Sequence, residues 1–223
     1  MSSFWDALPD SARQRLTASG RIVSAASGRC LLYAGQPCTR VMILQTGWAK
    51  ASTVTATGRT TLVDLMGSGD IIGEHEAVTG KPCLATAQLL AWSHVLSISM
   101  NRFQGIMTED TAVTRALLTA TVTKLERANH RRVLADGDAI TRLGEAVREL
   151  AHRFGDPALD GVVALRVPLY GTELARYAGV SERSAARAFD ALAPAIRRYG
   201  RQITIRPTLL CDLLSRSSTA GQP

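Results

Sequence analysis

Residues 171–192 run Gly171-Thr172-Glu173-Leu174-Ala175-Arg176-Tyr177-Ala178-Gly179-Val180-Ser181-Glu182-Arg183-Ser184-Ala185-Ala186-Arg187-Ala188-Phe189-Asp190-Ala191-Leu192. The spacing predicts two short helices around a tight turn. Thr172 serves as cap of the first helix, whose Leu174, Ala175 and Ala178 face inward. Gly179 supplies a left-handed turn residue, Val180 plugs the space between the helices, and Ser181 caps the second. The small side chains of Ala175 and Ala185 let the helices cross closely. Ser181, Glu182, Arg183, Ser184 and Arg187 then lie at the exposed start and outer face of the second helix, the position from which a helix-turn-helix reads base edges in a major groove.

Working outward, Ile196-Arg197-Arg198-Tyr199-Gly200-Arg201-Gln202-Ile203-Thr204-Ile205-Arg206 alternates on both sides of a Gly-Arg pair. That pattern predicts a two-stranded wing, with Arg198 and Arg201 placed for phosphate contact. Residues 171–206 hold 7 arginines against 3 acidic residues. A helical hairpin with a merely solvated charged face is the plain alternative, but turn chemistry, caps, charge and wing agree on DNA. The 223-residue chain has a net charge of +7 and a pI near 9.7, which also suits a basic enzyme or a membrane-surface protein. The distribution is more telling. Residues 1–110 carry 9 basic and 8 acidic groups, 111–136 carry 5 and 2, and 137–223 carry 12 and 9.

Upstream, Arg21 to Ser99 is a series of short apolar or alternating runs, such as 30–33, 41–44, 49–54, 60–65, 85–90 and 95–98, punctuated by glycines. Such regularity predicts an antiparallel sandwich or roll. Near residue 102 the period becomes helical, and Thr108 to Leu134 contains no Gly or Pro. Leu118, Val122, Leu125, Asn129 and Arg132 follow 4-3-4-3 spacing, with Val113, Leu117 and Ala120 on a neighbouring face. A helix over about 111–133 would be roughly 35 Å long, more than a small roll covers, so a second copy is its natural partner. Asp138 is the expected cap of a helix over 139–154. Gly155-Asp156-Pro157 ends it, and 162–169 reads as a strand. Near the N-terminus, 4–19 reads as short helical pieces with Pro9 in a first turn.

Leu32-Tyr33-Ala34-Gly35-Gln36, Gly47, Gly69-Asp70-Ile71-Ile72-Gly73-Glu74, Ile98-Ser99-Met100-Asn101-Arg102-Phe103 and the helix-turn-helix together resemble the Crp/Fnr family of bacterial transcription regulators, over nearly the whole chain. The resemblance implies an α+β fold: an N-terminal antiparallel, jelly-roll-like β-roll of the cyclic-nucleotide-binding type over 1–110, a dimerisation helix and hinge over 111–136, and a C-terminal winged helix-turn-helix over 137–223. The roll is the sensor whose effector sets the orientation of two DNA-binding domains. The expected dimer interface is Leu118, Val122, Leu125 and Asn129.

The effector pocket implied by the family maps to Gly73, Glu74, Cys83, Leu84 and Asn129. Cyclic-AMP-binding members pair a Gly-Glu, which holds the ribose, with an Arg-Ser that clamps the phosphate. Gly73-Glu74 matches the first half, but Cys83-Leu84 stands where the clamp belongs. Neither side chain offers the charge-assisted donors that a desolvated phosphate needs, and Lys81 lacks a bidentate fork. The base-contacting positions of the long helix correspond to Ala128 and Asn129, and Asn129 equally suits a polar residue fixing register in a dimer seam. Cyclic AMP is therefore disfavoured. Cys30 and Cys38 are not spaced for an iron–sulfur cluster. His75 falls where a haem-sensing member has its ligand, but a single histidine beside Glu76 reads as a roll-surface residue, so haem is disfavoured too.

The expected partners are double-stranded DNA and a second copy of the chain, with RNA polymerase a further candidate. No catalytic set and no metal-ligand spacing emerges from His75, His94, His130 and His152, so no enzymatic activity is expected. Three rival readings remain, the first two being a regulator of the same architecture sensing haem or another small molecule, and a thiol redox protein using Cys83 near His75. A helix-turn-helix that docks protein instead of DNA is a third. No apolar run reaches the roughly 20 residues that span a bilayer, and the N-terminus lacks a basic-then-apolar leader. A cytoplasmic protein with free, buried thiols is expected, and no membrane contact.

Overall fold

The computed structural model describes residues 3–56, 58 and 60–219, so the extreme ends of the two outer domains expected above lie outside the described residues. The chain divides into two compact units that meet within the long helix, between Arg127 and Ala128.

The N-terminal unit contains, in order, α1 (Asp10–Ser19), β1 (Arg21–Ala25), β2 (Cys30–Leu32), β3 (Arg40–Thr46), β4 (Ala49–Val54), β5 (Thr60–Met66), β6 (Ile71–Ile72), α2 (Glu74–Thr79), β7 (Thr86–Leu89), β8 (Ser93–Ser99), α3 (Met100–Glu109) and most of α4 (Thr111–Val133). Two antiparallel four-stranded sheets form the expected roll, ordered β1-β8-β3-β6 and β2-β7-β4-β5. The continuous apolar run 41–44 is explained by burial of both faces of β3. Val41 and Ile43 join Leu16, Phe103, Ile106 and Leu117 under the helices, whereas Met42 and Leu44 join Ala49, Met66 and Leu89 between the sheets. Pro9 sits one residue before the first helical position, in extended geometry, and not within the first turn as expected. α2 was not anticipated, because six residues are too few to show a period.

Asp110 breaks the helical stretch. Its Oδ1 accepts the N–H groups of Ala112 and Val113 at 3.0 and 3.4 Å, so α4 starts at Thr111 with its own cap. Val113, Ala116 and Leu117 are buried against the roll. Leu118, Val122 and Leu125 are 63%, 44% and 58% exposed and form an apolar stripe on the opposite side.

In the C-terminal unit a short 3-10 turn (Leu134–Asp136) leads to α5 (Ala139–Phe154). Asp138 caps it as expected, accepting Thr141 N–H at 2.7 Å. Then follow β9 (Gly155–Pro157), β10 (Val163–Leu165), α6 (Gly171–Ala178), α7 (Glu182–Leu192), β11 (Ile196–Tyr199), β12 (Gln202–Ile205) and α8 (Pro207–Thr219). The sheet order is β11-β12-β10-β9, all antiparallel. The strand expected over 162–169 is only three residues long. Beyond it Arg166 N–H still bonds to Phe154 O at 3.0 Å, but Pro168 has no N–H to donate and its carbonyl is taken by Arg201, so the ladder does not extend to Leu169. Leu143, Val147 and Leu150 of α5 are fully buried with Leu174, Ala185, Ala188 and Leu210. Burial of each large aliphatic side chain contributes roughly 1.5–3 kcal/mol to this small core. No helix among the described residues is long and apolar enough to cross a membrane.

Candidate nucleic-acid interface and effector loop

The turn between α6 and α7 is built as its sequence requires. Gly179 has φ +68°, and Val180 N–H reaches back to Ala175 O at 3.0 Å. Arg142, on α5, covers this turn from inside the unit. Its guanidinium donates to Gly179 O at 2.6 Å, Ala178 O at 3.2 Å and Ala135 O at 3.2 Å, cancelling carbonyls that the helix end leaves open. A Cβ on residue 179 would run into that guanidinium, so glycine is required for space as well as for φ. Sequence reasoning did not find Arg142, because no local pattern links it to a turn 37 residues away.

Ser181 caps α7 as expected, its Oγ accepting Ser184 N–H at 3.1 Å. Thr172 does not cap α6. The helix begins one residue earlier, the Glu173 carboxylate accepts Tyr170 N–H at 3.0 Å, and Thr172 is exposed on the first turn. Glu182, Arg183 and Arg187 project into solvent from α7, while Ala185, Ala188 and Leu192 seal its inner face.

The wing pairs Arg197 with Thr204, Arg198 with Ile203 and Tyr199 with Gln202. Arg198 is exposed, lies over the Phe189 ring at 4.9 Å and packs against Gly171, where a Cβ would displace it. Arg201 differs from expectation. Its guanidinium donates to Pro168 O at 3.1 and 2.7 Å and stacks on Tyr170 at 4.7 Å, so it braces the wing instead of standing free for phosphate.

In the roll, Gly73 precedes α2 and Glu74 opens it. The Glu74 carboxylate is held by Lys124 of α4 at 2.6 Å, and Lys124 also donates to Ile71 O at 2.9 Å. One helical turn on, Arg127 pairs with Asp64 at 3.3 Å. Both pairs are largely buried. Burial alone would lower the Lys124 pKa, but the carboxylates of Glu74, Asp64 and Asp70 outweigh it and hold the ammonium above its ordinary value. Lys124 was not among the expected pocket residues.

Cys83 is buried, and its backbone pairs with Gln36 O and Gly35 N–H. Leu84 is 68% exposed, and its N–H donates to Glu76 Oε1 at 2.9 Å. Burial pushes the Cys38 thiol up to about 12, and burial together with Glu76 raises that of Cys83. A reactive thiolate needs the opposite environment, so the geometry lends nothing to the thiol-redox reading. All four cysteines are free, but only Cys83 is fully buried; Cys211 is exposed, and Cys30 and Cys38 lie between. His75 sits on α2 with Nδ1 3.6 Å from Glu76 Oε1. Asn129 is exposed on α4. Among the described residues, no group of three or more His, Cys, Asp or Glu is arranged to hold a metal ion.

The cyclic nucleotide-binding domain family matches residues 22–110. A CRP-like cAMP-activated global transcriptional regulator of Mycobacterium tuberculosis is 25% identical over 200 residues, 87% of this chain and 88% of the relative. FixK2 from Bradyrhizobium japonicum superimposes with a TM-score of 0.74 at 20% identity, over 87% of this chain and 96% of its own. The c-di-GMP-responsive global regulator CLP of Xanthomonas campestris gives 0.74 at 16% identity, over 88% and 99%. Roll, long helix and winged helix-turn-helix thus follow the fold of these solved structures. Residues 22–110 match the cyclic nucleotide-binding domain family, and over most of its length the chain is similar to a CRP-like transcriptional regulator.

Proposed function

We propose that this chain is a transcription regulator of the Crp/Fnr type that binds specific duplex DNA as a homodimer, with Arg183 and Arg187 reading base edges, and that it does so without cyclic AMP and without catalysing a reaction. The observation that carries the DNA reading is α7: a capped helix with a sealed inner face and two outward arginines, Arg183 in its first turn and Arg187 one turn further on. Arginine forks fit the O6/N7 pair of guanine, and a helix presenting them end-on enters a major groove. Two such readers need two-fold pairing, for which the stripe of Leu118, Val122 and Leu125 is the available apolar surface.

The effector reading rests on Glu74. In the cyclic-AMP sensors this carboxylate waits for a ribose, whereas here an ammonium 2.6 Å away already holds it. Cys83 and Leu84 add no phosphate donor. The test is selection of genomic fragments by the purified protein, followed by titration of a selected duplex with and without cyclic AMP. Equal affinity in both arms supports the reading, as does a loss of about 1–3 kcal/mol for Arg183→Ala on the selected site. An Arg183→Ala protein with full affinity and unchanged sequence preference would remove α7 as the reader.

A further inference from the structure

Tyr199 closes the wing hairpin opposite Gln202, immediately before the turn residues Gly200 and Arg201. Its side chain is 87% exposed, the highest value for any large apolar side chain among the described residues. A phenol so placed adds nothing to the core. The wing around it is braced: Arg198 lies over Phe189 of α7, and Arg201 is tied to Pro168 O and Tyr170 ahead of α6. The tip is therefore held in a fixed direction. Between α7 and the wing runs a groove of about 640 Å³ lined by Asp190, Arg197, Arg198, Tyr199, Gln202 and Thr204. Arg183, Arg187 and Asp190 follow one another along the same exposed face of α7, so the groove continues the reading surface.

In B-form DNA one sugar–phosphate strand separates the major groove from the minor. With α7 in the major groove, that strand falls in the space beside α7, flanked by the exposed Arg197 and Arg198, and the wing tip overhangs the minor groove. We propose that Tyr199 is a second base-reading element, which sets its ring at the minor-groove mouth flanking each half-site. Its hydroxyl donates to adenine N3 or thymine O2. The guanine 2-amino group projects from the floor of that groove and meets the phenol with a second donor, so the contact favours A·T pairs at the flank. This inference rests on the DNA reading given under Proposed function.

The experiment titrates the full-length protein against a duplex it has selected, with the flanking pairs set to A·T, G·C or inosine·C. Inosine keeps the major-groove face of guanine but lacks the 2-amino group. A·T and inosine·C flanks should bind alike, about tenfold tighter than G·C, as expected for one base contact. Tyr199→Ala should bring all three to the G·C level, and Tyr199→Phe should fall between. An unchanged melting temperature for both variants, expected at so exposed a position, confirms that they fold. Retention of the flank preference by Tyr199→Ala, or inosine·C behaving as G·C, overturns the assignment. Arg183→Ala serves as the internal control and should lose half-site discrimination while keeping the flank preference. A wild-type protein that discriminates half-sites but not flanks overturns the wing reading alone, whereas one that discriminates neither overturns both.

Discussion

Replacing Lys124 with methionine strands the Glu74 carboxylate in a largely buried position. The loss should be about 1–3 kcal/mol, less than for a fully buried pair because some solvent still reaches both groups. Denaturant unfolding measures it. The same contact has a pH signature. The folded-state pKa of Lys124 lies above the ordinary lysine value of 10.5, so its stabilisation is fully present below that pH and is lost as pH rises through the folded-state value. Wild-type melting temperature should therefore fall more steeply than that of Lys124→Met in strongly alkaline buffer. Parallel curves would mean that the ion pair contributes nothing. At this scale the sequence was only half legible. Glu74 stood out because it follows Gly73 in a recognisable motif, but its partner lies 50 residues away on an element whose pattern spoke only of apolar spacing. Arg142 and Arg201 escaped correct reading for the same reason: a guanidinium reaches a carbonyl by folding, and no local rule marks which carbonyl.

Long elements were far easier to read. The boundaries of α4 and α5 and the helix-turn-helix followed from period, caps and the absence of breakers over many residues. β6, β9 and α2, of two, three and six residues, offered no period to detect, and β10 was overextended because an apolar run does not reveal where pairing ends. The stripe on α4 makes a prediction of its own. Leu118→Asp or Leu125→Asp should leave each chain folded, since both side chains are exposed within it, while abolishing self-association and specific DNA binding. Sedimentation of the wild-type protein as a monomer at micromolar concentration would remove the dimer. Gly179→Ala tests the turn. A left-handed alanine costs roughly 1–2 kcal/mol, and its methyl also displaces Arg142 from the α6 carbonyls. The C-terminal unit should melt earlier while the roll does not.

For the molecule as a whole, the decisive measurement is calorimetric titration with cyclic AMP. Two missing charge-assisted contacts, each worth roughly 1.5–3 kcal/mol, should weaken binding in the roll at least about a hundredfold relative to a cyclic-AMP sensor. Submicromolar binding there would show that another cation serves as the phosphate clamp. The exposed stripe on α4 then takes on a further meaning. If no metabolite sets the active state, what remains variable is how much protein the cell holds. Where monomers predominate, the concentration of pairs rises with the square of the total, so doubling the protein raises the DNA-binding species roughly fourfold. A weakly pairing helix would in this way turn a graded change in synthesis or degradation into a sharper change in promoter occupancy, and the protein's own abundance would be its signal.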